Sequence, residues 1–225
     1  MSGISPLSFV LLTALLVCGC DGVAVPTIPW HWFIRGNPAP TGVHKTKGAE
    51  EFTHLKWKFE TEKPVASSLV VSDGVVYFGS HDTNLYAVNA KTGQEKWKFK
   101  TGRWVWSSPT VSDGVVYFGS AEYNLYAVNA KTGQEKWKFK AGYMVVSSAA
   151  VSDGVVYFAS EGEDLYAVNA QTGEKKWGFK AGESAWFSGV VPDGDGTGYL
   201  FDCWPAVSDG IVYFGSNDGN LYALE

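Results

Sequence analysis

The stretch from Val71 to Lys100 returns almost letter for letter from Val111 and again from Val151, a period of 40 residues. A repeat of that length means that one small supersecondary unit is copied along the chain, and that the copies must stack, because a unit this small cannot bury its own faces. Within the copy the apolar pattern is that of strands. Val75-Val76-Tyr77-Phe78 and Leu85-Tyr86-Ala87-Val88 are β-branched and aromatic runs, while Lys96-Trp97-Lys98-Phe99 alternates charged with apolar residues at a period of two. Turn signals separate them: Ser72-Asp73-Gly74 and Lys91-Thr92-Gly93 each offer a short polar side chain and a glycine free to take positive φ. With one strand ahead of Asp73, the copy is a four-stranded meander. Strand A falls at about Ser67–Val71, B at Val75–Gly79, C at Asn84–Asn89 and D at Glu95–Lys100.

Four-stranded units of this length stack as the blades of a β-propeller. His54–Glu60 repeats the strand-D sequence ahead of the first full copy, and Leu221–Glu225 repeats strand C with no strand D behind it. The expected fold is all-β, a propeller of about four four-stranded blades over residues 54–225, with the last blade completed by the N-terminal strand. The alternative is a homodimer in which two chains exchange Leu55–Glu60 and form an eight-bladed ring. The fourth unit carries a duplicated turn, Val191-Pro192-Asp193-Gly194 and then Val207-Ser208-Asp209-Gly210, which places an insertion at residues 195–210 in its A–B hairpin.

The charge balance excludes one class of partner. The net charge is −5, and the lysines recur singly inside strand D, where they alternate with Trp97 and Phe99 as on a solvated sheet edge. A nucleic-acid surface needs clustered Lys and Arg, and none is present. The three cysteines, Cys18, Cys20 and Cys203, offer neither a disulfide within the repeats nor a metal-ligand spacing. Asp193 and Asp195 open a stretch similar to a calcium loop, but its twelfth position is Trp204 in place of a carboxylate. Asp-Gly pairs are what hairpins use, so the turn reading takes precedence and no metal is assigned.

Ahead of the repeats, residues 1–20 read as a signal peptide, with Phe9–Val17 as its apolar core. Val17-Cys18-Gly19-Cys20 resembles the cleavage box of bacterial lipoproteins, which makes Cys20 the expected lipidation site and the mature protein an exported, cell-membrane lipoprotein facing the periplasm or the exterior. An ordinary cleaved signal, or a mis-assigned start codon, is the alternative. Residues 21–53 read as a tether, broken up by Pro26, Pro29, Pro38 and Pro40.

Ala87-Val88-Asn89-Ala90-Lys91-Thr92-Gly93-Gln94-Glu95-Lys96-Trp97 resembles the tryptophan-docking motif of pyrroloquinoline-quinone-type propeller repeats, and it recurs at Ala127–Trp137 and Ala167–Trp177. The resemblance implies a structural docking role for Trp57, Trp97, Trp137 and Trp177, each packing against the motif of a neighbouring blade. It extends to two kinds of protein. The quinone-dependent dehydrogenases hold their cofactor beside Ca²⁺ and a disulfide between adjacent cysteines, which this chain lacks. The outer-membrane assembly lipoproteins share the repeat and the lipid anchor and do no chemistry. The non-enzymatic branch is the expectation: a membrane-anchored interaction scaffold with no cofactor. A pyrroloquinoline quinone and calcium oxidoreductase, or a fragment of one, is the alternative.

Comparison of the copies with one another points to one candidate partner surface, the alternative being loops that have merely drifted, with some of their aromatics plugging the central channel. The A–B and C–D turns hardly change from copy to copy, whereas the B–C and D–A loops do, and in a meander those two loop classes emerge on one side. The expected partner face therefore carries Arg103, Trp104, Trp106, Tyr143, Met144 and Trp186, and takes a protein or peptide.

Overall fold

The computed structural model describes residues 54–65, 67–161, 164–180, 188–191, 199–202, 205–215 and 220–225, with backbone alone for 164, 188–191 and 199–202. All of these lie in one compact unit, Pro38–Glu225. The expected signal peptide, the lipidation site Cys20, the tether, and Trp186, Asp193 and Asp195 lie outside the described residues. No helix among the described residues is long and apolar enough to cross a membrane.

Every described element is a strand. Three four-stranded antiparallel meanders follow one another: β1 (Val70–Ser72), β2 (Val75–Gly79), β3 (Asn84–Asn89) and β4 (Glu95–Lys100); then β5 (Thr110–Ser112), β6 (Val115–Ser120), β7 (Asn124–Asn129) and β8 (Glu135–Lys140); then β9 (Ala150–Ser152), β10 (Val155–Ser160), β11 (Asp164–Asn169) and β12 (Lys175–Lys180). A two-stranded hairpin, β13 (Ser188–Val191) with β14 (Tyr199–Asp202), precedes a three-stranded sheet of β15 (Ala206–Ser208), β16 (Ile211–Gly215) and β17 (Leu221–Leu224).

Each turn is built by the residues that signalled it. Asp73, Asp113, Asp153 and Asp209 take positive φ of 49–51°, and the glycine after each follows at 72–79°, the conformation of a two-residue hairpin whose twist matches its strands. At the C–D turns the side chain of Asn89 accepts from the amides of Lys91 (2.8 Å) and Thr92 (3.0 Å), and Asn129 and Asn169 do the same. A register shift between Ala87 and Val88, repeated in the next two sheets, bends each outer strand at the same place.

The A strands are shorter than the sequence suggests, and a serine is the reason. The Ser107 hydroxyl inserts between the strands, accepting from the Gly119 amide at 2.6 Å and donating to the Gly119 carbonyl at 3.0 Å. Ser147 treats Ala159 in the same way, and Ser67 accepts from the Gly79 amide. Continuous pairing therefore begins only at Val70, Thr110 and Ala150, after an isolated bridge of Val65 with Ser80 in the first copy.

Two expectations need correction. The insertion does not sit in the A–B hairpin of the last sheet: that sheet takes its A strand from Ala206–Ser208, so the extra residues precede it and include the β13–β14 hairpin. The flanking pair of the turn explains the choice. Ser208 pairs with Ile211 as Ser72 pairs with Val75, whereas Pro192, at the equivalent place in the first turn, has no amide to donate. Nor is the last sheet completed by the N-terminal strand: among the described residues β17 pairs with β16 alone, and residues 54–60 join no sheet. Trp57 and Phe59 lie instead against the first sheet, packed on the cluster of Val76, Phe78, Tyr86 and Val88.

The core lies between sheets. Val75, Tyr77, Leu85 and Ala87 of the first pack with Val116, Phe118, Tyr126 and Val128 of the second, and the pattern continues from the second to the third. Burial of a side chain such as Leu85 contributes about 1.5–3 kcal/mol, and the sheets supply it to one another.

Candidate functional site

The repeated face is committed to structure. Trp57, Trp97 and Trp137 each donate an indole N–H to the carbonyl of Ala90, Ala130 and Ala170, at 3.1, 3.0 and 3.0 Å, and each lies flat on the glycine of the same turn. Trp177 is 37% exposed against 8% for Trp137, and its ring meets Tyr157 of its own sheet.

The opposite end carries the loops that differ. In the first copy the B–C loop begins at Ser80, whose hydroxyl donates to the carbonyls of Lys63 and Pro64, and Thr83 is held at φ +76°. Tyr123 takes φ +73° at the same place in the second copy. Left-handed backbone at a β-branched residue costs about 1–2 kcal/mol, so these loops hold a conformation their residues disfavour.

Out of this arrangement comes an aromatic cluster. Trp104 stacks on Trp106 with ring centroids 5.0 Å apart, and His81 lies 5.6 Å from Trp104 and 5.5 Å from Trp106. The Trp106 indole N–H donates to Nε2 of His81. Trp104 is 44% exposed, so the cluster presents an open indole to solvent while its neighbours fix it from behind. Arg103 beside it is exposed, and its carbonyl accepts from the Thr101 hydroxyl. Tyr143, one unit on, is 55% exposed, and Met144 is half-buried with its carbonyl accepting from the Glu161 amide. Among the described residues the ring contacts of the cluster do not extend to Tyr143.

His81 is the member that the sequence did not single out. It stands in a variable B–C loop, 23 positions before Trp104, and only the stacking of one unit on the next brings the two loops together.

The B–C loops also carry acidic side chains. Asp82 is buried, and it accepts from the Tyr86 hydroxyl at 2.8 Å, from the amide and side chain of Asn84, and from the Glu62 amide at 3.2 Å. Burial by itself would raise its pKa. The hydrogen bonds from Tyr86, Asn84 and Ser80 outweigh that and hold the carboxyl below the usual Asp range. Burial and the bond to Asp82 push the Tyr86 phenol up in turn. Glu122 receives the Tyr126 hydroxyl in the second copy. In the third, the sequence has Gly162 at the position of that carboxylate, and the Tyr166 hydroxyl accepts from the Gly142 amide at 3.3 Å. Glu161 is buried beside that position, and burial raises its pKa.

Asp82 and Glu122 serve their own tyrosines, and among the described residues no three His, Cys, Asp or Glu side chains come together to hold a metal ion.

Comparison with known proteins gives the repeat a family. No curated protein sequence matches the chain. Among solved structures, BamB from Moraxella catarrhalis is similar at a TM-score of 0.61 and 17% identity, covering 75% of this chain and 49% of that one. The chain thus spans about half the length of that protein. The computationally designed Ika4 protein is similar at 0.61 and 16% identity, covering 77% of this chain and 98% of its own. The quinohemoprotein alcohol dehydrogenase ADHIIG from Pseudomonas putida HK5 is similar at 0.56 and 22% identity, with 71% and 29% covered. At these identities the likeness is one of fold. The family model described as outer membrane protein assembly factor BamB matches residues 53–180 and 144–225, most of the sequence, and the chain belongs to that family of pyrroloquinoline-quinone-like β-propeller repeats.

Proposed function

We propose that this protein is a membrane-anchored, extracytoplasmic scaffold whose loop face binds a protein or peptide partner, and that it needs no cofactor to do so. The observation that carries this reading is the His81, Trp104 and Trp106 cluster: a fixed aromatic platform, open at Trp104, on the face whose loops differ between copies. Trp, Tyr and Arg most often dominate the energy of protein interfaces, and Arg103, Trp104 and Tyr143 are all exposed there. Family membership supports the class of function, since BamB is by its name an assembly factor of outer membrane proteins. It also supports a periplasmic location at the outer membrane, while the lipidation of Cys20 rests on the Val17-Cys18-Gly19-Cys20 box of the sequence.

The test is site-specific crosslinking in the producing cell, with benzoylphenylalanine placed at position 104 or at position 131 in a C–D turn of the opposite face. A discrete adduct from 104, absent from 131 and lost in a Trp106→Ala, Tyr143→Ala background, supports the loop face. Equal adducts from both positions, or none from 104, would sink it. Labelled palmitate incorporated by the parental chain and not by Cys20→Ala tests the anchor.

A further inference from the structure

The residue that follows the serine at the end of each B strand differs between the three complete copies: His81, Ala121 and Glu161. The backbone treats all three alike. Their amides donate to the carbonyls of Pro64, Trp104 and Met144 at 3.0, 3.0 and 2.8 Å, so each is held beside the D–A loop that leads into its own unit. The side chains then part company. His81 joins the aromatic cluster, Ala121 is buried and apolar, and Glu161 is a carboxyl left only 9% exposed. Among the described residues that carboxyl accepts no hydrogen bond and meets no cation; burial acts on it alone and pushes its pKa up. The serine ahead of it is open in the same way. Ser80 donates its hydroxyl to the carbonyls of Lys63 and Pro64, and Ser120 to those of Arg103 and Trp104, whereas the buried hydroxyl of Ser160 has no hydrogen-bond partner among the described residues. In the first two copies an acid stands one position later, where Asp82 and Glu122 accept from Tyr86 and Tyr126. The third copy has Gly162 there, and its Glu161 comes one place earlier, next to Ser160.

We propose that Glu161, with Ser160 beside it, receives a basic side chain, the guanidinium or ammonium group of an arginine or lysine, from the partner that binds the loop face. This rests on the reading of that face as the partner surface, and adds the chemistry of what the partner presents there. A carboxylate taken out of water without a counter-charge is costly, and a buried hydroxyl without a partner adds to the cost. Two neighbouring oxygens that both lack donors are satisfied together by a group that brings N–H donors and positive charge. A divalent cation does not fit, since calcium takes six to eight oxygens and among the described residues no three ligating side chains come together. The surroundings suit a charge carried on an apolar stem. Met144, whose carbonyl holds the Glu161 amide, is half-buried, and Tyr143 next to it is 55% exposed, so a stem has apolar surface to lie on and the cation a ring to approach. The net charge of −5 draws a basic partner toward the chain.

The experiment takes the full-length protein in detergent, isotopically labelled at its glutamate side-chain carboxyls for NMR. It is titrated at neutral pH and constant ionic strength with n-butylguanidinium chloride and, separately, with its uncharged analogue n-butylurea. The Glu161 signal is the one missing from Glu161→Gln. A saturable shift of that signal with the guanidinium, and none with the urea, is expected. Ser160→Ala should weaken the binding about two- to tenfold, the worth of one hydrogen bond. In the producing cell, Glu161→Gln should cut the adduct from benzoylphenylalanine at position 104 by about tenfold or more. The same variant removes an unpaired buried charge, so its melting temperature above neutral pH should not fall, which separates lost binding from lost folding. Equal shifts from the two probes, or none, would overturn the proposal. So would an adduct undiminished in Glu161→Gln, which leaves the loop face standing as a partner surface. A parental chain with no adduct at position 104 sinks the loop face instead, and the guanidinium titration then still decides whether Glu161 takes a cation.

Discussion

Trp137 lies flat on Gly173, so close that a Cβ on the glycine would come within 2.7 Å of the indole. The same contact joins Trp97 to Gly133 and Trp57 to Gly93, which makes it the repeated joint between one unit and the next. Gly173→Ala should therefore cost two things, the left-handed backbone at φ +75° and the overlap with the ring. Gly154→Ala carries only the first, since φ is +73° there and nothing lies within 4 Å. The gap between the two variants in chemical denaturation should be about 1–3 kcal/mol, the cost of overpacking. Equal destabilisation would show that the indole moves aside freely.

The tryptophans themselves should divide by burial. Trp137→Ala removes a buried ring and its bond to Ala170, at a cost of about 3–5 kcal/mol. Trp177→Ala, at a ring already 37% exposed, should cost below about 1 kcal/mol. A Trp137→Ala protein that melts within a degree or two of the parent would rule out the docking role.

Acid and neutral pH should separate two buried carboxyls. The pKa of Asp82 is depressed in the folded chain, so its contribution is present above the ordinary Asp range and is lost as pH falls through the folded value. Asp82→Asn should cost about 2 kcal/mol at pH 7 and progressively less below about pH 4. Glu161 has the opposite sign: its raised pKa means that the fold favours the protonated form, an advantage lost as pH rises through the folded value. Glu161→Gln should raise the melting temperature at pH 8 and leave it unchanged at pH 4. Parallel melting curves of both variants across that range check the signs.

Strain in the first B–C loop can be relieved by one substitution. Thr83 sits at φ +76°, and the fourth copy has Gly219 at the equivalent position. Thr83→Gly should stabilise the protein by up to about 1 kcal/mol, because glycine takes that conformation without the Cβ penalty. A loss of stability in the same assay would mean that the threonine side chain makes a compensating contact.

What the sequence alone determined is what each copy writes within itself. The period of 40 residues, the alternation in strand D and the Asp-Gly turns define the meander, since side-chain direction and turn conformation depend on residues a few positions apart. The docking of each tryptophan on the next copy's C–D turn was legible only through the resemblance to the propeller-repeat motif, because it joins residues in different copies. Tertiary structure decided the rest, because it depends on what one copy meets in the next. Ser107 shortens its strand by bonding across to Gly119, and no pattern in the strand itself records that. His81 becomes part of the platform only when the loop carrying Trp104 is stacked beside it. Leu85 and Leu221 occupy the same place in the same motif, yet one is buried and the other open to water, because burial belongs to the neighbour that covers a residue and not to the residue.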